Sequence, residues 1–338
     1  MIVVMKKDAS ARDISSVIAR VKADGYEPHL TEGDERTIIG LVGESPTPLR
    51  EDNYSSMGGV DRVMRVSVPY KRASREYHPQ DSLVALNGSK AGSQKVLVIA
   101  GPCSVESREQ TIEIACAVKE AGATAMRGGA FKPRTSPYSF QGHGEQGLKW
   151  LAEARERTGL PIVTEVMDPA LVPMVMDYAD VLQIGARNMQ NFTLLNAVGE
   201  SQHTVLLKRG MANTMEDLLM SAEYILSHGN NRVMLCERGI RTFEKYSRNT
   251  FDINAIPILK ARSHLPVIAD PSHAVGYSEY VESLALAAVA AGADGLIVEV
   301  HPQPEVAMSD GRQSLNFDGF RRMMARIQAV AQAVGRSA

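Results

Sequence analysis

Short apolar stretches alternate with helical stretches over most of the chain. The eight stretches run over Val96–Ala100, Thr124–Arg127, Pro161–Glu165, Val181–Ile184, Thr204–Lys208, Arg232–Cys236, Pro266–Asp270 and Gly295–Glu299. Continuously apolar strands between helices indicate a parallel sheet that helices cover. Eight such units in about 250 residues are typical of a (β/α)₈ TIM barrel, an α/β fold. An open doubly wound sheet stays the alternative, because alternation alone does not establish closure.

The first 66 residues follow a different pattern, strand–helix–strand–strand–helix–strand. The predicted elements are Ile2–Met5, a helix capped by Ser10 and ending near Ala23, His29–Leu30, Thr37–Val42, a short helix over Leu49–Met57, and Val60–Val68. This order is typical of a small ferredoxin-like, ACT-like module. We therefore predict a ferredoxin-like domain over residues 1–66 and a catalytic barrel over residues 67–338, with a hairpin near Ser82–Ser93.

Composition excludes several classes of protein. A net charge of −2 over 338 residues argues against a general nucleic-acid partner. The apolar N-terminal run is too short for a signal peptide, and the apolar stretch Leu284–Ala293 is too short to span a membrane. Three scattered cysteines favour the reducing cytoplasm over a disulfide-bonded fold. Of these, Cys116 and Cys236 are predicted to be packing residues.

One loop concentrates groups that bind anions. After the second predicted strand, Lys132, Arg134, Thr135 and Ser136 fall within a span of five residues. So many donors in a short span suit two phosphates, or a phosphate and a carboxylate. Two prolines and two aromatic residues restrain the same loop, which favours a binding loop over a merely solvated one.

Polar side chains also stand at the end of every predicted barrel strand. In chain order they are Cys103, Arg127 and Lys132, Glu165, Arg187 and Asn188, Lys208 and Arg209, Glu237 and Arg238, Asp270 and His273, and Glu299. The C-terminal ends of barrel strands converge on one face, where active sites lie. Charged or metal-binding groups at all eight ends predict a site there, since packing alone does not produce this pattern.

Within this ring, Cys103, His273, Glu299 and Asp310 are compatible with a divalent metal site. A thiolate, an imidazole and two carboxylates form a mixed donor set that suits Zn²⁺, Fe²⁺ or Mn²⁺. The spacing is not diagnostic, because the four residues are scattered along the chain. His301 competes with His273 as the imidazole ligand.

Several motifs together resemble those of 3-deoxy-D-arabino-heptulosonate-7-phosphate (DAHP) synthases that carry a ferredoxin-like domain. The resemblance covers essentially the whole chain. The motifs are Ala100-Gly-Pro-Cys-Ser104, Arg127-Gly-Gly-Ala130, Lys132-Pro-Arg-Thr-Ser136, Gln183-Ile-Gly-Ala-Arg-Asn188, Leu207-Lys-Arg-Gly210, Cys236-Glu-Arg-Gly239, Asp270-Pro-Ser-His273 and Ile297-Val-Glu-Val-His301.

The resemblance implies a barrel that condenses phosphoenolpyruvate with erythrose 4-phosphate and releases phosphate, the first step of the shikimate pathway. It implies metal ligands at Cys103, His273, Glu299 and Asp310, with Mn²⁺ expected first and Fe²⁺, Co²⁺ or Zn²⁺ as alternatives. It also implies the substrate contacts. Phosphoenolpyruvate would bind Arg127, Lys132, Arg187, Lys208 and Arg238, and erythrose 4-phosphate would bind Arg134, Thr135, Ser136 and Asp270.

Three further expectations follow from the same resemblance. Lys132, Glu165 and His273 are the candidates for the proton transfers. The chain is expected to form a homo-oligomer, a tetramer by family resemblance. The small domain is expected to mediate feedback by an aromatic amino acid, Tyr or Phe.

Two rival functions stay open at the level of sequence. A 3-deoxy-D-manno-octulosonate-8-phosphate synthase would use arabinose 5-phosphate on the same barrel. Its loop typically carries Asn where this chain has Pro133-Arg134-Thr135, and it lacks the small domain, so both features favour the four-carbon aldose. A non-catalytic barrel that only binds a partner is disfavoured, because no candidate ligand or cation is missing.

Overall fold

The computed structural model describes residues 1–32, 37–43, 50–64, 68–133 and 136–338. The chain divides into two compact units, residues 1–79 and residues 80–338. The boundary that the sequence analysis places between residues 66 and 67 falls outside the described residues and stays a prediction.

The first unit has the order strand–helix–strand–strand–helix–strand. Its elements are β1 (Ile2–Met5), α1 (Ala11–Ala23), β2 (Glu27–Glu32), β3 (Thr37–Val42), α2 (Asp52–Ser55) and β4 (Val60–Met64). The strands lie in the order β2-β3-β1-β4, and all neighbours in this sheet are antiparallel. This arrangement confirms the predicted ferredoxin-like fold. The second strand is longer than expected, and α2 is shorter.

Local chemistry explains where α1 begins and how it is held. The Ser10 hydroxyl accepts a hydrogen bond from the Asp13 amide, and the Asp13 carboxylate accepts one from the Ser10 amide. This reciprocal pair is a capping box, which satisfies amides that the first helical turn leaves free. At the other end of α1, the buried Tyr54 hydroxyl donates to Asp24 Oδ2 over 2.5 Å. Tyr54 thereby joins α2 to the C-terminus of α1.

The second unit is a closed barrel of eight parallel strands. The barrel strands are β7 (Leu97–Gly101), β8 (Ala125–Arg127), β9 (Ile162–Glu165), β10 (Val181–Ile184), β11 (Thr204–Lys208), β12 (Val233–Glu237), β13 (Val267–Ala269) and β14 (Gly295–Glu299). The helices between and after them are α3 (Arg108–Glu120), α4 (Glu145–Thr158), α5 (Val172–Tyr178), α6 (Phe192–Glu200), α7 (Met215–Ser227), α8 (Ala255–Arg262), α9 (Pro271–Val275), α10 (Ser278–Ala290) and α11 (Phe317–Ala333). Closure confirms the predicted TIM barrel, and the open doubly wound alternative is wrong.

A hairpin precedes the barrel, as the sequence predicts. Strands β5 (Val84–Leu86) and β6 (Ser89–Ala91) pair antiparallel. Their buried side chains share one hydrophobic cluster with residues near the starts of the barrel strands, such as Leu97 and Val181. The hairpin therefore packs at the N-terminal ends of the strands, and the opposite end is left for polar side chains.

The helices and the three cysteines can be compared with the predictions from composition. Among the described residues, no helix combines the length and the apolar character that crossing a membrane requires. All three cysteines are free. Cys236 is buried in the barrel core as expected, whereas Cys116 on α3 is exposed, so its assignment as a packing residue is wrong.

Candidate active site

A cavity of about 330 Å³ lies at the C-terminal ends of the barrel strands. Eight residues that the sequence predicts for the site, and that the structure describes, line it. They are Lys132, Ser136, Glu165, Arg187, Lys208, Arg238 and the two predicted metal ligands His273 and Asp310. The strand-end pattern thus marks the residues that surround this cavity.

Three of the four predicted metal ligands point at one another. One ligand atom from each of Cys103, Glu299 and Asp310 lies within 4.8 Å of the others. His273 is adjacent, with Nε2 3.4 Å from Glu299 Oε1. A thiolate, two carboxylates and an imidazole fit a divalent transition metal. The imidazole of His301 does not belong to this group: its Nε2 lies 3.3 Å from Glu106 Oε2.

Glu299 is a buried carboxylate held by several donors. Arg127 Nη1 donates to Oε1 over 2.8 Å, and the Gln313 side-chain amide donates to Oε2 over 2.7 Å. The Ser272 hydroxyl accepts a hydrogen bond from the Glu299 amide and fixes the backbone of the strand end. Burial opposes ionisation, yet His273 and Arg127 outweigh it, so the pKa of Glu299 lies below its ordinary value. The side chain is therefore ready to bind a cation.

Cys103 lies among charged neighbours at the end of β7. Burial, followed by the negative charge of Glu299, raises the pKa of its thiol to about 11. Lys132 Nζ opposes this shift; it lies 3.1 Å from Sγ and donates to the Cys103 carbonyl over 3.0 Å. The thiol is consequently protonated near neutral pH in the metal-free protein, and binding a metal there requires loss of that proton.

Asp310, unlike the Cys103 thiol, is ionised near neutral pH. Burial raises its pKa, but Arg248, His273 and Lys132 outweigh burial and lower the pKa to about 2. Its backbone adopts a left-handed φ of 49°, which is uncommon outside glycine. The Asp310 carboxylate therefore stays ionised throughout the physiological range.

Asp270 connects two other predicted residues. Its carboxylate pairs with Lys208 Nζ and lies 2.8 Å from His273 Nδ1, and its Oδ1 accepts a hydrogen bond from the His273 amide at the start of α9. Burial opposes ionisation of Asp270, but His273 and Lys208 hold its pKa well below the ordinary value. Burial lowers the pKa of His273, so its imidazole is neutral near pH 7. Asp270 itself is buried behind these two side chains.

Arg238 carries a donor that lacks a partner. Its side chain is 4% exposed, and Nη1 has no hydrogen-bond partner within the described part of the chain. Burial lowers the pKa of this guanidinium. Because a buried unpaired cation is costly, the site favours an anion beside Arg238.

Glu165 and Arg187 extend the lining of the cavity. Gly185, at the end of β10, leaves room for the Glu165 carboxylate, since a Cβ at residue 185 would overlap Oε1. Arg187 is exposed on the turn that follows. Ser136 and Ser139 line the cavity from the β8–α4 loop, whereas Arg134 and Thr135 lie outside the described residues.

Two residues near the site were not predicted from the sequence. Arg248 lines the cavity from the β12–α8 loop, and Gln313 is buried between Arg248 and Glu299. Backbone hydrogen bonds from Arg248 to Val275 and from Asn249 to Ala274 hold this loop against the segment that carries His273. Neither residue stands at a strand end, so no feature of the sequence marked them.

Comparison with known proteins covers both units. Residues 77–335 match the DAHP synthetase I family, and residues 1–68 match the DAHP synthase ferredoxin-like domain. A phospho-2-dehydro-3-deoxyheptonate aldolase from Thermotoga maritima is 49% identical over 99% of both chains. A crystal structure of a phospho-2-dehydro-3-deoxyheptonate aldolase (DAHP synthase) from T. maritima superposes with a TM-score of 0.79 at 48% identity, covering 99% of this chain and 98% of the other.

Two other relatives cover the barrel. A structure of a truncated 3-deoxy-D-arabino-heptulosonate 7-phosphate synthase from T. maritima superposes with a TM-score of 0.74 at 49% identity, covering 78% of this chain and 97% of the other. A 2-dehydro-3-deoxyphosphooctonate aldolase from Syntrophotalea carbinolica is 33% identical over 74% of this chain and 96% of its own length.

Proposed function

The chain belongs to the DAHP synthetase I family, and from this premise we propose that it condenses phosphoenolpyruvate with erythrose 4-phosphate and water to give DAHP and phosphate. The observation that carries the proposal is the charge of the cavity. Five of its lining side chains are Lys or Arg and two are carboxylates, so the cavity suits substrates with several negative charges. The five cations are Lys132, Arg187, Lys208, Arg238 and Arg248.

The phosphate and carboxylate of phosphoenolpyruvate are assigned to the predicted cations. Guanidinium groups hold such oxyanions through paired hydrogen bonds, and the unpartnered Nη1 of Arg238 supports a contact there. Lys132, Arg187 and Lys208 line the same cavity. Arg127 does not line it: its Nη1 donates to Glu299 and to the Pro102 carbonyl, so contact with the substrate would have to use its other nitrogens.

The aldose phosphate is assigned to the β8–α4 loop, where Ser136 lines the cavity beside Pro133. The contacts predicted for Arg134, Thr135 and Asp270 stay predictions. Because the Asp270 carboxylate is already engaged by Lys208 and His273, its role in the proposed mechanism is to orient these two groups.

Enzymes of this family are generally metal-dependent, and we assign the metal to Cys103, His273, Glu299 and Asp310, with Mn²⁺ as the expected ion. When bound, the metal supplies Lewis acidity that polarises the C1 aldehyde of erythrose 4-phosphate. Neutral His273 and ionised Glu299 and Asp310 are already in the state that a ligand needs. Only Cys103 has to lose a proton.

The reaction requires balanced proton movements. C3 of phosphoenolpyruvate attacks the aldehyde carbon, whose oxygen gains a proton, while water adds at C2 and loses one. The C2–O bond to phosphate then breaks: phosphate leaves with the bonding electron pair and takes up a proton, while the C2 hydroxyl loses its proton and becomes the ketone. Glu165 and Lys132 border the space where these atoms would lie, and they are the proposed acids and bases. His273, the third candidate from the sequence, lines the same cavity, but its Nδ1 faces Asp270 and its Nε2 is assigned to the metal.

The first unit is proposed to regulate the barrel. None of its described residues is among the side chains that line the cavity, and residues 1–68 match the ferredoxin-like domain of DAHP synthases. We propose that Tyr or Phe acts through this unit in a homotetramer. A truncated protein that begins near Val68 should stay active and lose this inhibition. Inhibition that persists in the truncated protein would place the effector site on the barrel.

The substrate assignment is tested by offering two aldoses. Purified protein with Mn²⁺ should release phosphate from phosphoenolpyruvate in the presence of erythrose 4-phosphate and not in the presence of arabinose 5-phosphate. Equal or preferred turnover of arabinose 5-phosphate would favour the octulosonate alternative, to which the 33% identical relatives belong. Treatment with a chelator should abolish activity, and added Mn²⁺ should restore it.

A further inference from the structure

Gln313 links the two carboxylates of the proposed metal centre. Its side chain is 2% exposed, and its amide nitrogen donates to Glu299 Oε2 over 2.7 Å. Its amide oxygen accepts from Arg248 Nη1 over 2.6 Å. The same Nη1 lies 3.4 Å from Asp310 Oδ1. A continuous chain of polar contacts therefore runs from Glu299 through Gln313 and Arg248 to Asp310.

The local backbone explains why Gln313 reaches this position. Residues 311–313 form one short helical turn directly after Asp310, and the Gln313 amide donates to the Asp310 carbonyl over 3.1 Å. Gly311 permits the turn, because a Cβ there would overlap the Pro304 carbonyl oxygen. A single turn thus carries a proposed metal ligand at its start and the residue that contacts a second ligand at its end.

The carboxamide has the donor and acceptor that this position needs. Glu299 Oε1 is occupied by Arg127, so the orientation of the carboxylate about its last bond depends on what holds Oε2. An NH₂ group donates there, and the oxygen of the same amide accepts from the cationic Arg248. Because Arg248 can only donate, it fixes which end of the amide faces Glu299.

We infer that Gln313 is a positioning residue of the metal centre, which sets the orientation of the Glu299 carboxylate and, through Arg248, couples it to Asp310. The inference rests on the proposed function, since it concerns the same metal. Hydrogen-bond partners of metal ligands typically change metal affinity by about 10- to 100-fold when they are removed. The other contacts of Glu299, with Arg127 and with the Ser272 hydroxyl, are left intact when Gln313 is replaced.

The test uses Gln313→Met, which keeps the length of the side chain and removes the amide. Gln303→Leu is the matched control: it removes an exposed glutamine amide from the same β14–α11 loop. Co²⁺ affinity is measured by competition with a chromogenic chelator, and the visible absorption of the bound Co²⁺ reports its coordination. Gln313→Met should weaken affinity by about 10- to 100-fold and change the absorption spectrum. Gln303→Leu should change neither.

An unchanged affinity and spectrum in Gln313→Met would overturn the inference while leaving the metal centre in place. A wild-type protein that binds no divalent metal would overturn both the inference and the proposed function. Arg248→Met provides a second test if Gln313→Met does not fold, because Arg248 is more exposed. It should shift the Co²⁺ spectrum in the same direction by a smaller amount, and an unchanged spectrum would contradict the proposed coupling.

Discussion

Replacing Arg127 by Met tests how the buried charges of the site are balanced. Arg127 and Glu299 form an ion pair over 2.8 Å, with side chains 5% and 1% exposed. Met fills similar space without the charge. In the metal-free protein the variant keeps a buried Glu299 carboxylate that has lost its guanidinium partner, whereas a bound metal ion would supply a replacement cation.

The size of the effect follows from this burial. Breaking a buried pair by removing one partner typically costs about 3–5 kcal/mol. A metal ion present at roughly 100 times its Kd stabilises a protein by about 2.7 kcal/mol. Unlike the neutral Gln313, Arg127 carries a positive charge that repels a metal ion at Glu299, so its removal should tighten metal binding. Each tenfold gain in affinity recovers about 1.4 kcal/mol. The loss in free energy of unfolding caused by Arg127→Met should therefore be largest without metal and clearly smaller with it.

The assay is urea denaturation followed by tryptophan fluorescence, with and without Mn²⁺. The single tryptophan, Trp150, lies on α4, so the signal reports on the barrel unit. Arg209→Met is the matched control, because Arg209 forms a comparably buried pair with Glu237 over 2.8 Å. The control should lose stability to the same extent in both conditions, since neither partner is a proposed metal ligand.

The reasoning is refuted if Arg127→Met loses the same free energy of unfolding with and without Mn²⁺. Such a result is expected only for the control, Arg209→Met. A deficit below about 1 kcal/mol without metal would equally contradict it, because such a value is typical of an exposed ion pair.

Three further predictions concern the pH dependence of metal binding, the stability of the first unit and the binding of each substrate. Because only Cys103 must lose a proton, metal affinity should rise about tenfold per pH unit between about pH 6 and 9 and lose this slope in Cys103→Ala, as chelator competition would measure. Tyr54→Phe should destabilise the first unit by about 1–3 kcal/mol at neutral pH. The hydrogen bond from Tyr54 lowers the pKa of Asp24, so the stabilisation by this hydrogen bond is present above about pH 4 and fades as the pH falls further. Hydrogen exchange of the α1 amides, measured at neutral pH and well below about pH 4, checks this. Replacing Arg134 should mainly raise the KM for erythrose 4-phosphate, and replacing Arg238 should mainly raise the KM for phosphoenolpyruvate. Equal effects of either replacement on both substrates would contradict the assignment of the two arginines to different substrates.

The barrel and most residues that line the candidate site were predictable because they follow from local rules. An apolar strand is recognised within five residues, and in a closed parallel barrel its last residue lies at the same end of the barrel as the last residue of every other strand. Lys208 at the end of β11 and Glu165 at the end of β9 were identified in this way. Closure itself was confirmed only by the pairing of β14 with β7.

The contacts behind the strand ends were not predictable from such rules. Gln313 and Arg248 lie on different loops, 65 positions apart in the sequence, and only the folded chain brings them together. Asp270 was identified at a strand end, but its engagement with Lys208 and His273 depends on how far each side chain reaches. Cys116 was misassigned because helical periodicity does not fix which residues at the edge of an apolar face are covered.

The most direct test of the account is anomalous diffraction from crystals soaked with Mn²⁺ and phosphoenolpyruvate. The account predicts one strong manganese peak within bonding distance of Cys103 Sγ, His273 Nε2 and the carboxylates of Glu299 and Asp310, with the phosphate of phosphoenolpyruvate on Arg238. A manganese peak between His301 and Glu106, or phosphoenolpyruvate bound away from Arg238 and Lys208, would contradict it.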